Sequence, residues 1–414
     1  VHIADVAHYV KKGSNIDKEA YERGNSIYLV NKVIPMLPTE LSNEACSLQE
    51  GEDRLTLTVK MLIDEKGKVL EQEFFESVIC SNHRLIYEDV SNYIEDGIKF
   101  SDEELNYNVD IYNEIYKILR EAKEKRGAID FNTQETYIEV DDNGHPIDVR
   151  PEKRREANRL IEEFMLITNE TVATFFSYLE IPFIYRIHDK PDEDKIEEFK
   201  KIISRLGYKI EGKRLHPKDF QKLTNEIAGK PEEMMINNLM LRSMKKAEYD
   251  VFETSHFGLA LEYYTHFTAP IRRYSDLSIH RIIKAWINGN SDTASESTLE
   301  DIAYQCSDRE LKSLDLEREV IDLKSCEYME DYIGYEYDGI ISSLTNFGIF
   351  VQLENTIEVL VHFRNMDDDY YDFDEENYQV IGERQKKVFK IGQKIRIKVI
   401  DVNIVQKEID AIIV

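Results

Sequence analysis

Residues 256–281 read HFGLALEYYTHFTAPIRRYSDLSIHR, a run of aromatics, hydroxyls, histidines and a paired arginine around one proline. A buried helix or strand of this length would carry one clean apolar period. Tyr263, Tyr264, Thr265, His266, Phe267 and Thr268 follow one another without one. The mixture marks a site rather than ordinary core. Pro270 should end any preceding helix and stiffen the turn, and from Ile271 onward Leu277, Ile279, Ile282 and Ile283 show helical spacing. Arg272 and Arg273 therefore fall at a helix start. Cations there oppose the helix dipole, unless an anion such as a phosphate sits among them and the exposed backbone donors. A surface arginine pair with Tyr274 packed below is the alternative reading.

Upstream of this stretch the pattern is mostly helical back to Glu156. An amphipathic run covers 156–178, a second covers 193–206 between Pro191 and Gly207, and Pro231 opens a methionine-rich helix through Met234, Met235, Leu239 and Met244. Soft methionines at helical spacing read as core packing. Earlier still, residues up to Ile79 are expected to be mainly β, with a hairpin of 54–63 and 69–79 about the turn 64–68. A helix is expected over 102–125, and a second hairpin turns at Asp142, Asn143 and Gly144. Downstream, 298–332 reads as one long charged helix or a pair.

After Tyr332 the texture changes to short apolar runs separated by glycine and polar turns: Tyr337, Gly339, Ile341, Phe347, Gly348, Phe350, Val351, Leu353, Val361 and His362. A small β-barrel is expected. Phe347, Phe350 and His362 could stack bases on its surface or lie in its core. The acidic run Asp367, Asp368, Asp369, Asp372, Asp374, Glu375 and Glu376 reads as a solvated loop and not as a metal site.

The 414 residues leave room for two or three domains with a real core. A net charge of −28 argues against coating nucleic acid over the whole surface, so a polyanion would need a focused channel. Cys46, Cys80, Cys306 and Cys326 are far apart and form no metal-ligand spacing, which suggests reduced core cysteines with no disulfide partner. No run of about eighteen apolar residues could span a bilayer, and the amino terminus shows no basic region or apolar signal segment. A cytoplasmic, monomeric protein without a membrane partner is expected. Val1 starts inside apparent structure, so the chain is expected to be a fragment of a longer protein. A serine or thiol hydrolase finds no support, since neither a nucleophile elbow nor a Cys/His signature occurs.

Four further stretches join 256–281: VHIADVAHYV (1–10), ERGNSIYLVNKVIPMLPTELSNEACSL (22–48), KRGAIDF (125–131) and RREANRLIEEFM (154–165). Together they resemble the catalytic RNB domain of the ribonuclease II and ribonuclease R exoribonuclease family. Residues 334–366 and 390–414 resemble an S-one type OB-fold RNA-binding domain, and this domain order is most like the bacterial ribonuclease R members. The resemblance implies an α+β RNB catalytic domain over 1–332 followed by an all-β OB-fold barrel over 333–414. It also implies processive 3′-to-5′ hydrolysis of single-stranded RNA to nucleoside 5′-monophosphates at a magnesium site.

By motif, Tyr28 and Phe131 match the family's stacking aromatics, and Tyr87 matches another aromatic near the RNA end. Arg272 matches the arginine at the scissile phosphate, with Arg273 as its neighbour. Glu317 matches a carboxylate that supports the catalytic centre, by orienting the leaving nucleotide or Arg272; a surface helix partner is its plain alternative. Glu162, or else Glu163, would hold ribose hydroxyls. Phe347 and His362 would touch RNA from the barrel. The family's aspartate cluster is expected before Val1, leaving no metal ligand in this chain and Asp5 as a structural carboxylate. A fragment that holds single-stranded RNA without cleaving it is therefore a second reading.

Overall fold

The structure, a computed structural model, describes every residue except 131–134, 211, 213–214, 231, 291–293 and 376. His2–Ala4 pairs antiparallel with Asp53–Ile63, which pairs in turn with Val69–Cys80 to give a three-stranded sheet. The long hairpin thus forms where its alternation and its Asp64–Lys68 turn placed it. Asp64 Oδ1 accepts the N–H groups of Lys66 and Lys68, both at 2.9 Å, and fixes the reversal.

The expected mainly β character of the first fifty residues is overturned. Val6–Tyr9 and Asn15–Arg23 are α-helical, Glu40–Ala45 is a π-helical turn, and only Ile27–Leu29 and Lys32–Ile34 add a small hairpin. The helix Asn15–Arg23 is set by its ends: Ser14 Oγ accepts from Asp17 N–H at 3.2 Å, and Gly24 closes it at φ 72°. Only Asp17 and Ala20 are buried along it, so no apolar period announces the helix.

Glu156–Tyr178 and Tyr274–Ile287 pack against this sheet. Phe74, Phe175, Phe176 and Trp286 meet edge to face or tilted, and Phe176 stacks on Phe183 with centroids 5.0 Å apart. A second core gathers Glu193–Arg205, Pro217–Ile227 and Glu233–Ser243, burying Met235, Met240 and Met244 with Phe199, Phe220 and Phe257. Met235 and Met244 are core, as their spacing suggested, while Met234 is only partly buried. Pro231 lies outside the described residues.

Residues 296–330 form one unbroken helix of 35 residues, Glu296–Glu330, capped by Ser295. It runs past the helix Asn15–Arg23, the small hairpin at Tyr28 and the hairpin Thr136–Val140/Pro146–Pro151 to the last domain. There Glu336–Leu344, Gly348–Leu353, Glu358–His362, Glu408–Ile413 and Lys394–Asn403 close a five-stranded barrel. Ile349, Val351 and Leu353 face its core while Phe350 and Gln352 alternate outward.

The acidic run is not simply a loop. Tyr371–Asp374, Gln379–Gly382 and Val388–Lys390 make a three-stranded sheet, and Asp369 accepts the backbone N–H groups of Arg384 and Gln385. Tyr371 is buried and Phe373 partly buried between the aspartates, and Val380 is buried on the next strand, so apolar alternation was present among the charges. Glu376 falls outside the described residues. No disulfide joins the four cysteines, and Cys80 is exposed at the hairpin end rather than in the core. Among the described residues, no helix is long and apolar enough to cross a membrane.

Gly24 packs directly against the long helix: a Cβ there would stand 2.6 Å from Arg309 Cβ and 2.8 Å from Arg309 Cγ. Gly24→Ala adds that clash to a positive φ, and is expected to lower unfolding free energy by on the order of 2 kcal/mol. Urea denaturation would measure it; a midpoint equal to that of the unaltered chain would show that the contact is slack.

Candidate functional site

Two backbone hydrogen bonds build the centre of the site. Ser26 N–H donates to Arg272 O at 3.0 Å and Tyr274 N–H to Gly24 O at 2.9 Å, with Asn25 and Arg273 opposed in an antiparallel bridge. This short pairing carries the chain straight into the strand Ile27–Leu29. Tyr28 stands on that strand with its ring 48% exposed. Glu317 of the long helix accepts Tyr28 N–H at 3.0 Å, and the Arg272 guanidinium carbon lies 6.0 Å from the Tyr28 ring centre. Tyr28, Arg272 and Glu317 therefore converge from three distant parts of the chain. Glu317 orients the tyrosine strand; it makes no ion pair with Arg272 among the described residues.

Beneath them, the stretch 256–281 is mostly buried. Thr265 Oγ1 donates to Ile184 O at 2.7 Å, Tyr264 is hydrogen-bonded to Asn169, and Tyr249 Oη lies 2.8 Å from His266 Nδ1. Arg186 donates to both oxygens of Glu310 at 2.6 and 3.0 Å and lies over the Tyr249 ring. Asp17 takes Tyr274 Oη at 2.9 Å and Arg281 Nη2 at 2.6 Å. The polar residues that marked a site are largely its scaffold. Arg273, expected as the neighbour of Arg272 at the phosphate, instead turns its guanidinium inward onto Asp276 at 2.8 Å. Arg272 is exposed. Asn25, Asp17 and Asp276 were missed by sequence reasoning, although an aspartate three residues into a helix and opposite an arginine is a readable signal.

A second polar pocket of about 330 Å³ holds Lys123, Asp130, Arg154, Glu162 and Glu163. Lys123 Nζ reaches Glu162 at 3.2 Å and Glu163 at 2.8 Å, and Arg154 also pairs with Glu162. Glu163 is buried, so Glu162 is the more open carboxylate. Phe131, next to Asp130, lies outside the described residues. Tyr87 is exposed at the first residue of the helix Tyr87–Asp96, and among the described residues it makes no hydrogen bond or ring contact with Tyr28, Arg272 or Glu317. On the barrel, Phe347 is 48% exposed, 6.1 Å from Phe350 and 6.0 Å from His362 between ring centres. The three rings form one outward platform rather than core.

Magnesium, implied by the resemblance, does not fit the carboxylates at hand. Among the described residues no group of three or more His, Cys, Asp or Glu could hold a metal ion. Asp5 caps the helix Val6–Tyr9 through His8 N–H at 3.0 Å and pairs with Lys284, a structural role.

The RNB domain profile matches residues 1–289, and the S1 RNA binding domain profile matches 330–412. The chain belongs to the RNB family. Ribonuclease R 1 of Lactococcus lactis is 44% identical over 99% of this chain and 51% of its own length. Ribonuclease R of Thermotoga maritima is 42% identical over 100% of this chain and 60% of its own. This RNB chain thus spans about half to three-fifths of those relatives. The apo form of Mycoplasma genitalium RNase R superposes with a TM-score of 0.94 at 31% identity, covering 100% of this chain and 66% of that one. Its complex with ribose-methylated single-stranded RNA gives the same figures.

Burial also sets the protonation of the scaffold. It pushes His256 down to about 3, aided by His188 and Arg186, and His280 down to about 4; it lowers His188 and His266 as well. His188 shows the consequence, because its Nδ1 accepts Gly258 N–H at 3.0 Å and must be unprotonated. Between about pH 6.5 and these lowered values the unfolded chain binds protons that the folded chain refuses, so stability is present above that window and lost as pH falls through it. Urea midpoints should drop from pH 7 to pH 5, and His256→Gln should flatten the drop. A wild-type profile level over that range would contradict the assignment.

Proposed function

We propose that this chain forms the catalytic and RNA-holding part of a 3′-to-5′ exoribonuclease that hydrolyses single-stranded RNA processively to nucleoside 5′-monophosphates. Residues 1–332 would serve as the catalytic part and 333–414 as the RNA-binding barrel. The observation that carries the proposal is the meeting of Tyr28, Arg272 and Glu317, with Tyr28 and Glu317 289 residues apart in sequence and joined by one hydrogen bond. An exposed aromatic ring beside an exposed guanidinium suits the end of an RNA strand: the ring stacks a base without reading it, and the guanidinium takes the phosphate. Sequence-blind stacking is what a stepwise degrading enzyme requires. Relatives that are ribonuclease R, and an RNase R structure holding single-stranded RNA, support the same reading. Phe347 and His362 extend the track on the barrel, while Glu162, Tyr87 and Phe131 remain proposed RNA contacts by motif. Magnesium, with ligands other than the described carboxylates, a monomeric state and a cytoplasmic location belong to the same proposal.

A second reading, that the 414 residues hold RNA without cleaving it, is favoured by one specific observation: Asp5, Asp17 and Asp276 are paired with Lys284, Arg281 and Arg273, and among the described residues no three His, Cys, Asp or Glu gather as metal ligands. The intact protein, given 5′-labelled RNA and magnesium, should yield a ladder shortening by single nucleotides. Fragments of one fixed length would overturn exonuclease action. The 414-residue chain alone should show salt-dependent binding of single strands, and nucleotide release by it would eliminate the second reading.

Arg272→Ala in the intact protein should lower turnover by on the order of a hundredfold while RNA affinity changes little, since the guanidinium is proposed to act where charge develops. Loss of affinity with unchanged turnover would place Arg272 in simple binding. Phe347→Ala should weaken single-strand binding by about 1–3 kcal/mol without changing the urea midpoint. Unaltered affinity in a filter-binding titration would remove the barrel platform from the RNA track.

A further inference from the structure

Three arginines lie within residues 256–281, and the fold treats them differently. Arg281 is neutralised by Asp17, Arg273 by Asp276, and Arg272 has no carboxylate within ion-pair distance among the described residues. The Arg273–Asp276 pair is the unusual one. Asp276 is fully buried, and its carboxylate accepts from Ala269 N–H at 2.8 Å, Arg273 Nη2 at 2.8 Å and Ser275 Oγ at 3.0 Å.

We propose that Asp276, acting through Arg273 and the Ala269 backbone, is a positioning residue that aims the Arg272 guanidinium at an RNA phosphate. The proposal rests on the functional reading above and assigns no contact between Asp276 and RNA. Its geometry is a brace around one residue. Arg272 N–H and Arg273 N–H both donate to Ala269 O, at 3.2 and 3.0 Å, while Asp276 grips Ala269 N–H from the other side. Arg272 O is held in turn by Ser26 N–H. With the turn pinned before, at and after Arg272, only its side chain is free to move.

The same carboxylate also sorts charge. Two adjacent guanidinium groups facing one channel would attract a phosphate to two places. Burying one against Asp276 leaves a single cation for it to find. A buried ion pair is weak evidence for stability, because desolvation offsets much of its attraction. Its presence beside the exposed arginine is better explained by orientation, where a misplacement of about 1 Å can lower a rate a hundredfold.

The test is a double-mutant cycle in the intact protein. Asp276→Asn should lower the single-turnover rate of nucleotide release by about tenfold or more, with RNA affinity, measured in chelator, unchanged or tighter, since Arg273 would lose its counter-charge. In an Arg272→Ala background the same substitution should lower the rate less than about twofold, because the positioned group is already gone. Losses that multiply in the double variant would overturn the proposal and mark Asp276 as merely structural. Should Asp276→Asn fail to fold, Ser275→Ala removes one donor only, and its smaller loss should likewise vanish without Arg272. A second arm needs no catalysis: the Arg272 side-chain Nε–H resonance in the 414-residue chain should be single and sharp, and broadened in Asp276→Asn or Ser275→Ala. An unchanged resonance in both would overturn the proposal. Wild-type protein that does not shorten RNA would sink the functional reading instead, and the resonance would then decide the brace by itself.

Discussion

Everything at the site hangs on the antiparallel pairing of Gly24–Ser26 with Arg272–Tyr274. Two backbone hydrogen bonds are a small interaction, worth about 1 kcal/mol each after exchange with water. Their value is geometric. They fasten the segment that bears Tyr28 to the turn that bears Arg272, and they do so directly under the long helix that supplies Glu317. The close approach of Arg309 to Gly24 brings that helix near enough for its carboxylate to reach Tyr28 N–H. A larger residue at position 24 would push apart the elements that the pairing joins.

The pairing needs a rigid support, and the support is polar. Burying Arg186, Arg273, Asp276 and four histidines would be prohibitive for isolated groups, but most meet a partner: Arg186 with Glu310, Arg273 with Asp276, His188 with Gly258 N–H and Lys245 O. Satisfied polar networks have directional bonds, so they fix orientation more tightly than an apolar core of equal volume. The histidines stay neutral for the same reason. Their surroundings are dry, and the neighbouring guanidinium groups of Arg186 and Arg273 oppose a further positive charge.

Periodic elements were legible in the sequence because one residue pattern determines each of them. The helix Glu156–Tyr178, the long hairpin and the closing barrel strands all carry their own alternation or helical period. Residues 5–46 did not, since the helix Asn15–Arg23 buries only two side chains and is held by its caps and by the long helix. At the site, the resemblance to the RNB family picked out Tyr28, Arg272 and Glu317 and put Arg272 ahead of Arg273, but no residue pattern showed why only one of the pair faces outward. That depends on Asp276, whose effect appears only when the first helical turn is closed. Glu317 was read as a partner for Arg272 or the leaving nucleotide; its bond to Tyr28 N–H depends on a strand end that no local pattern revealed. The acidic run was misjudged because charge count concealed the alternation of Tyr371 and Phe373 within it.

On the proposed function, a chain of net charge −28 has to attract a polyanion against its own field. Spreading cations over the surface would answer this only by losing selectivity for the strand end. The structure instead cancels arginines in place, Arg186, Arg273 and Arg281 each by a neighbouring carboxylate, and leaves Arg272 uncancelled next to an exposed ring. Because Tyr28 and Arg272 are both exposed, salt screens the attraction they offer as well as the long-range repulsion, over a Debye length of roughly 8–10 Å. On the proposed function, the acidic surface discourages nucleic acid over much of the chain, while Tyr28 and Arg272 together offer stacking and charge.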